Sequence, residues 1–187
     1  MQNTNIEQAD RAIADAAAPV RHTTPVKVAG WLSEIADQPQ LITLCTAVLL
    51  SGVIGRDRRL AVTGGRMLAA EVLATVMKDA IKHRVDRTRP EAVDDGTPYV
   101  MEPSRSRDSD RNSFPSGHTA GAIAVASVIA GAYPHARVPA YGVAAAIALI
   151  QIPRSKHYVS DVAIGSVIGA AAGCLARVIG ARRTVPA

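Results

Sequence analysis

Three short clusters in this 187-residue chain hold most of its reactive side chains. They are Lys82-His83-Arg84-Val85-Asp86-Arg87-Thr88-Arg89-Pro90, then Phe114-Pro115-Ser116-Gly117-His118, then Arg154-Ser155-Lys156-His157-Tyr158-Val159-Ser160-Asp161. Lys82 and Arg89 supply permanent positive charge, and an arginine can grip two phosphate oxygens at once. Pro115-Ser116-Gly117 leads straight into an apolar run. The Ser116 hydroxyl and the local backbone amides therefore fall at a helix amino terminus, where an anion is favoured. His118, one residue on, is placed to give or take a proton beside that anion. His157 and Asp161 are four apart, so on a helix they share a face and the carboxylate can orient the imidazole. A neutral, oriented imidazole is a competent nucleophile. Phosphoryl transfer needs positive charge around the equatorial oxygens, a nucleophile in line and an acid for the leaving group. These residues supply all three without a metal or any other cofactor.

Taken singly, each element has a plainer reading. A histidine at a helix end is more often structural, and a basic cluster beside an apolar run more often anchors topology. The elements that must position them decide the matter. Uncharged or nearly uncharged runs cover 38–55, 60–81, 119–134, 138–153 and 162–176. The second contains Arg66, Glu71 and Lys78, and charges within such a segment are expected to face the bundle interior or the headgroups. The last three runs are somewhat short of the roughly 20 residues of a full span, which flanking polar residues can complete. Gly165, Gly169 and Gly173 lie four apart, a small-residue seam that allows backbones to approach. Ahead of the runs, Ile6, Ala9, Ile13, Ala16, Ala17 and Val20 recur at helical spacing, and a second short helix is expected over 26–37 with Trp31 at interfacial depth. The expected fold is all-α: a membrane-embedded bundle of about five transmembrane helices preceded by short amphipathic helices. The divisions are an amphipathic segment over 1–37, a membrane domain over 38–181 and a tail over 182–187.

Composition agrees with that class. Hydrophobic residues make up 48% and aromatics only 3%, so the apolar mass is aliphatic and small, as closely packed membrane helices require. A net charge of +5 raises the question of nucleic acid, but stacking aromatics are nearly absent and the basic residues cluster beside apolar runs, so no nucleic-acid partner is expected. Cys45 and Cys174 both lie inside apolar runs and read as buried hydrophobes. The start, MQNTNIEQAD, lacks a basic, then apolar, secretory signal, so insertion is expected to rely on internal segments. If the five runs alternate across a bilayer, Arg56, Arg58, Arg59, Arg137, Arg182 and Arg183 share one side with a single acid, Asp57. The positive-inside rule makes that side cytoplasmic and puts the three reactive clusters on the opposite face of the cell (inner) membrane.

The order and spacing of these clusters resemble the phosphatidic acid phosphatase type 2 superfamily, which also includes bacterial acid phosphatases and vanadium haloperoxidases. That family's first motif, Lys, six residues, Arg-Pro, is met by Lys82 and Arg89-Pro90, and its second, Pro-Ser-Gly-His, by Pro115 to His118. Its third is Ser-Arg, five residues, His, three residues, Asp, of which His157 and Asp161 match. The resemblance covers roughly residues 35–180. It implies that His157 is a nucleophile forming a phosphohistidine, that Asp161 orients it and that His118 protonates the leaving group. Lys82, Arg89, Ser116 and Gly117 would hold the phosphate. It further implies a phosphorylated lipid as substrate: a polyprenyl diphosphate, phosphatidate or a phosphatidylglycerol phosphate.

The third motif departs from the pattern. Gln151 stands where the family has Arg, and Ile150 where it has Ser. Arg154, three residues on, would lie nearly one helical turn along and could reach the same phosphate; alternatively it anchors the helix end and leaves a slower or inactive site. The chain is therefore read as a metal-independent membrane lipid phosphatase, with a catalytically weak member that binds phosphorylated lipid as the second reading. A haloperoxidase is disfavoured because this chain's helices are short and apolar. His83, Arg84 and Arg87 fall at unspecified positions of the first motif and are expected to contact headgroups. Oligomeric state and the choice between mono- and diphosphate are left open.

Overall fold

A capping box starts the first element: the Thr4 hydroxyl accepts from the Glu7 amide at 3.2 Å while the Glu7 carboxylate accepts from the Thr4 amide at 2.8 Å. That element is α1, Asn5–Ala17, in a computed structural model that describes residues 4–103 and 108–181. A short 3-10 turn leads to α2, Thr24–Ser33, and a second 3-10 turn, Glu34–Ala36, leads to α3, Gln38–Ile54. The segments Thr24–Ala36 and α3 meet at 57°. Pro39 in the first turn of α3 has no N–H to offer the preceding turn, so α2 cannot run on through it. α4, Arg58–Lys82, is capped by Asp57, whose carboxylate accepts from the Leu60 amide at 3.0 Å. After it come β1 (Val85–Arg87), the short α5 (Pro90–Asp94) and β2 (Met101–Pro103). The bundle is completed by α6 (Gly117–Ala132), α7 (Arg137–Ile150) and α8 (Val159–Ala181).

α6 is the central helix, packed on α8, α7 and α4. Its buried positions include Ala120, Ala122, Ala124, Val125, Ala126, Val128 and Ala130, apolar on every side, as a fully enclosed helix must be. Small residues there let four helices close on one axis. The outer helices turn large apolar side chains outward instead: Val53, Val76, Val143, Leu149 and Val167 are each more than half exposed. Such faces suit lipid, where apolar exposure carries no penalty. The fold is an all-α, membrane-embedded bundle. α4 and α8 are each long and apolar enough to cross a membrane, and Thr24–Ala36 with α3 passes the same test as a bent pair, a third span if the two are counted as one. α6 and α7, at 16 and 14 residues, are shorter.

The five apolar runs thus correspond to α3, α4, α6, α7 and α8, with shifted ends. α8 extends beyond the expected 162–176 in both directions, and α7 stops at Ile150 rather than continuing to Pro153. The polar loop that joins α4 to α6, residues 83–116, is not wholly irregular: β1 and β2 pair antiparallel, Arg87 opposite Met101. Asp10, buried on α1, bonds to Arg87 and Ser160, so the amino-terminal segment is pinned to the bundle rather than lying apart. The tail over 182–187, with Arg182 and Arg183, lies outside the described residues. Trp31 is 74% exposed on α2, consistent with an interfacial position.

The glycine seam of α8 packs within the chain. A Cβ added at Gly169 would sit 2.4 Å from the Ala120 carbonyl oxygen, and one at Gly165 would sit 2.6 Å from that of Ser116. Both neighbours are backbone and cannot swing aside. Gly169→Ala should therefore destabilise the bundle by about 1–3 kcal/mol, the usual cost of overpacking. Thermal unfolding in detergent would show it, and an unchanged midpoint would mean that α6 and α8 have room to separate.

Candidate active site

Lys82, Arg89, Gly117, His118, Arg154 and His157 all line one cavity of about 320 Å3. It lies at the carboxyl end of α4, the amino end of α6 and the turn between α7 and α8. Residues from three distant stretches meet because α4, α6 and α8 bring the same end of the bundle together. Ser116 and Asp161, both fully buried, stand behind the cavity wall. Ser116 stands at the N-cap position of α6 without a capping bond from its side chain; its hydroxyl accepts from Thr119 Oγ1 at 3.0 Å and its amide donates to the Asp161 carbonyl at 3.1 Å. The amides open to an anion are accordingly those just inside the helix, from Gly117 onward.

His157 is not on a helix with Asp161: α8 starts at Val159, and His157 lies in the turn before it. Its Nδ1 lies 2.7 Å from the Ser113 carbonyl oxygen. A carbonyl only accepts, so Nδ1 must carry the proton and Nε2 the free lone pair. Asp161 Oδ2 is farther, 3.7 Å from Nδ1. The carboxylate works as a hub instead, because Oδ2 accepts from the Ser113 hydroxyl at 2.6 Å and from the Tyr158 amide at 2.8 Å. It thus holds both the residue whose carbonyl orients the imidazole and the turn that carries it. Burial pushes the His157 imidazole down to about 4, against the opposing pull of Asp161, so the ring is neutral near pH 7.

Arg87 departs from its expected headgroup role. It is fully buried, donating to Asp161 Oδ1 at 2.6 Å, to Asp10 Oδ2 at 2.8 Å and to Ser160 Oγ at 2.7 Å. Asp86 and Thr88 on either side are buried with it, because β1 runs between β2 and the entry to α8, whereas His83 and Arg84, before the strand, are exposed. Arg89 is held by the polar loop, its Nε donating to the Ser109 carbonyl at 3.0 Å and its amide to that of Asp110 at 2.8 Å.

The region of the irregular motif is tied to the amino-terminal segment. Gln151 is fully buried and donates to the Ile147 carbonyl at 3.0 Å and to Ser33 Oγ at 3.3 Å. Arg154 reaches the cavity, but its guanidinium donates to Ser33 Oγ at 2.8 Å and to Glu34 Oε1 at 2.5 Å. Glu34 Oε2 lies 3.6 Å from His118 Nε2. One carboxylate therefore stands between Arg154 and His118, at the mouth of the cavity.

Sequence reading missed several members. Lys78 lines the cavity, and its position four before Lys82 on one helix face was a usable signal. Glu71 and Thr75 continue that face, and Glu71 is buried towards the bundle interior as expected. Nothing in the sequence pointed to Glu34, Ser33 or Asp10, which lie in the segment read as short amphipathic helices. Among the described residues, no three His, Cys, Asp or Glu side chains cluster as a metal site would require.

Residues 63–184 match the family model described as the PAP2 superfamily. No curated protein matches the sequence. Among solved structures, the chain is similar to a transmembrane PAP2-type phosphatidylglycerolphosphate phosphatase from Bacillus subtilis, at 22% identity and a TM-score of 0.72, covering 96% of this chain and 89% of that one. It is also similar to LpxE of Aquifex aeolicus, at 22% identity and a TM-score of 0.67, covering 94% of this chain and 96% of that one.

Proposed function

The chain belongs to the PAP2 superfamily, and from that premise we propose that it hydrolyses a phosphate monoester or pyrophosphate of a membrane lipid through a phosphohistidine. The observation that carries this reading is the His157 hydrogen bond to the Ser113 carbonyl at 2.7 Å, which leaves Nε2 unprotonated in a cavity lined by Lys82, Arg89 and His118. Nε2 attacks phosphorus, forming the N–P bond as the bond to the lipid-side oxygen breaks. His118 gives its proton to that leaving oxygen. It then takes one from water, which attacks the phosphohistidine, releases phosphate and restores His157. Lys82, Arg89 and the amides from Gly117 onward balance the charge on the equatorial oxygens. Ser116 and Asp161 act behind them, Ser116 by tying the start of α6 to the Asp161 carbonyl through its amide and Asp161 by holding Ser113 and Tyr158.

Arg154 takes the part of the arginine that Gln151 displaces. Glu34 holds the Arg154 guanidinium, and an incoming phosphate, carrying more charge, takes that place. Glu34→Gln should then lower KM for the phosphorylated lipid several-fold by freeing Arg154, and Arg154→Lys should raise it because the bidentate grip is lost. Unchanged KM in both variants would return Arg154 to an anchoring role. His118→Ala is expected to cost about 10^2–10^4-fold in turnover, the usual span for a general acid.

The lipid-facing helices favour a membrane-embedded substrate over a soluble ester. By the positive-inside argument, the cavity opens on the non-cytoplasmic face of the cell membrane. One feature supports a second reading, a member that binds phosphorylated lipid without turnover: Gln151 is buried and bonded to Ser33, so it gives the cavity no charge. Phosphate release from a panel of phospholipids and polyprenyl phosphates, with EDTA present and His157→Ala as control, separates the two. Release by the parent alone supports the enzyme. Retention of lipid without release favours the binding protein. Loss of activity in EDTA, restored by a divalent ion, would overturn the metal-free mechanism.

A further inference from the structure

The end of the bundle opposite the catalytic cavity holds a second concentration of positive charge. Two adjoining cavities, of about 590 and 370 Å3, open there between the amino end of α4 and the carboxyl ends of α6 and α8, with Arg66 and Ala132 lining both. Arg58 and Arg59 line the first and Arg177 the second. Arg66 is sixteen residues from Lys82 along α4, roughly 24 Å at about 1.5 Å per residue, so this site lies towards the end of the bundle away from the reactive clusters.

Four arginines converge here, and among the described residues none of them has a carboxylate partner. Arg66 Nε is buried with no hydrogen-bond partner, although Arg66 sits two turns inside an apolar helix. Arg59 is committed to the Ala132 carbonyl and the face of Tyr133, 4.4 Å from its ring centre. Arg177 lies flat on Gly131, where an added Cβ would come within 2.5 Å of its Nε. Arg58, Arg59 and Arg177 stand exposed around the rim of these cavities and Arg66 reaches in between the helices, beside Val62, Val128 and Val178. Like charges held together at a membrane surface need an anion, and those valines offer an apolar wall for its tail.

We propose that this site binds the headgroup of an anionic phospholipid from the leaflet opposite the catalytic cavity. Arg66 and Arg177 grip the phosphodiester from either side of Ala132, and the acyl chains lie along α4, α6 and α8. The site is independent of catalysis, since a phosphodiester such as phosphatidylglycerol offers no terminal phosphate to remove.

The test is native mass spectrometry of the full chain in nonionic detergent, titrated with dioleoyl phosphatidylglycerol, dioleoyl phosphatidylcholine or inorganic phosphate. The expected result is a saturable one-to-one phosphatidylglycerol adduct, with weaker binding of phosphatidylcholine. Arg66→Gln/Arg177→Gln should weaken that adduct about 30-fold, at roughly fivefold per charge, while Arg66→Lys/Arg177→Lys keeps most of it. Lys82→Gln, in the catalytic cavity, should leave it unchanged. A thermal melt confirms that each variant is folded, and a glutamine pair that does not fold leaves the lysine pair and Lys82→Gln to decide. Loss of the adduct in Lys82→Gln, equal binding of both lipids, or displacement of the lipid by equimolar inorganic phosphate would overturn the proposal.

Discussion

His157→Ala is expected to lower phosphate release by on the order of 10^4-fold or more, with the bundle intact. The size of the effect follows from the role: without Nε2 no N–P bond forms, and a water molecule would have to attack directly with no base aligned behind it. Fold should survive, because the imidazole makes a single hydrogen bond, to the Ser113 carbonyl, and Asp161 still holds Ser113 and Tyr158 without it. The pH dependence of the parent adds a sharper test. Burial pushes the His157 imidazole down to about 4, so its neutral, nucleophilic form is present above that value and is lost only as pH falls through it. The acid limb of kcat/KM that belongs to the nucleophile should therefore lie near pH 4, well below the ordinary histidine range near 6.5. A nucleophile limb centred at 6.5 or higher would mean that the imidazole is exposed in the working enzyme.

Arg87→Met should destabilise the protein by about 3–5 kcal/mol, far more than the loss of an exposed arginine, which costs under about 1 kcal/mol. The guanidinium is bonded to Asp161 on one side and to Asp10 on the other, and removing it strands two carboxylates in the interior. It should also slow catalysis beyond the stability loss, because Asp161 is released from the position in which it holds Ser113. Asp10→Asn provides the companion measurement. It removes one charge but keeps a polar group beside Ser160, whose hydroxyl and amide both bond to Asp10. A double-mutant cycle between positions 10 and 87 should give a coupling energy of at least about 1 kcal/mol. Strict additivity would show that the amino-terminal helix only rests against the site.

The Asp10–Arg87 contact also marks where the sequence stopped being informative. Cation spacing, the helix entry at Gly117 and the His157–Asp161 interval were legible, because each is a local pattern with a chemical reason. So were the five apolar runs, whose lengths and small-residue content suit a bundle around α6. What escaped were contacts between parts far apart in sequence. Arg87 looks like any arginine of a basic cluster until β1 turns it inward against a helix 77 residues earlier. Glu34 looks like a surface carboxylate until the 57° bend at Asp37 carries it to Arg154 and His118. The i, i+4 interval of His157 and Asp161 suggested a direct hydrogen bond on one helix. His157 lies in the turn before α8 instead, and Ser113, from the loop before α6, bonds to both side chains, so the carboxylate acts through a neighbour.

The central claim is that His157 carries the phosphate between the two half-reactions. Mixing detergent-purified protein with phosphorylated lipid, quenching within milliseconds in alkaline denaturant to preserve phosphohistidine, and mapping the peptides by mass spectrometry tests it most directly. Phosphate is expected on His157, formed before free phosphate appears and absent from His157→Ala. Full turnover with the phosphate on a different side chain, or on none, would contradict it.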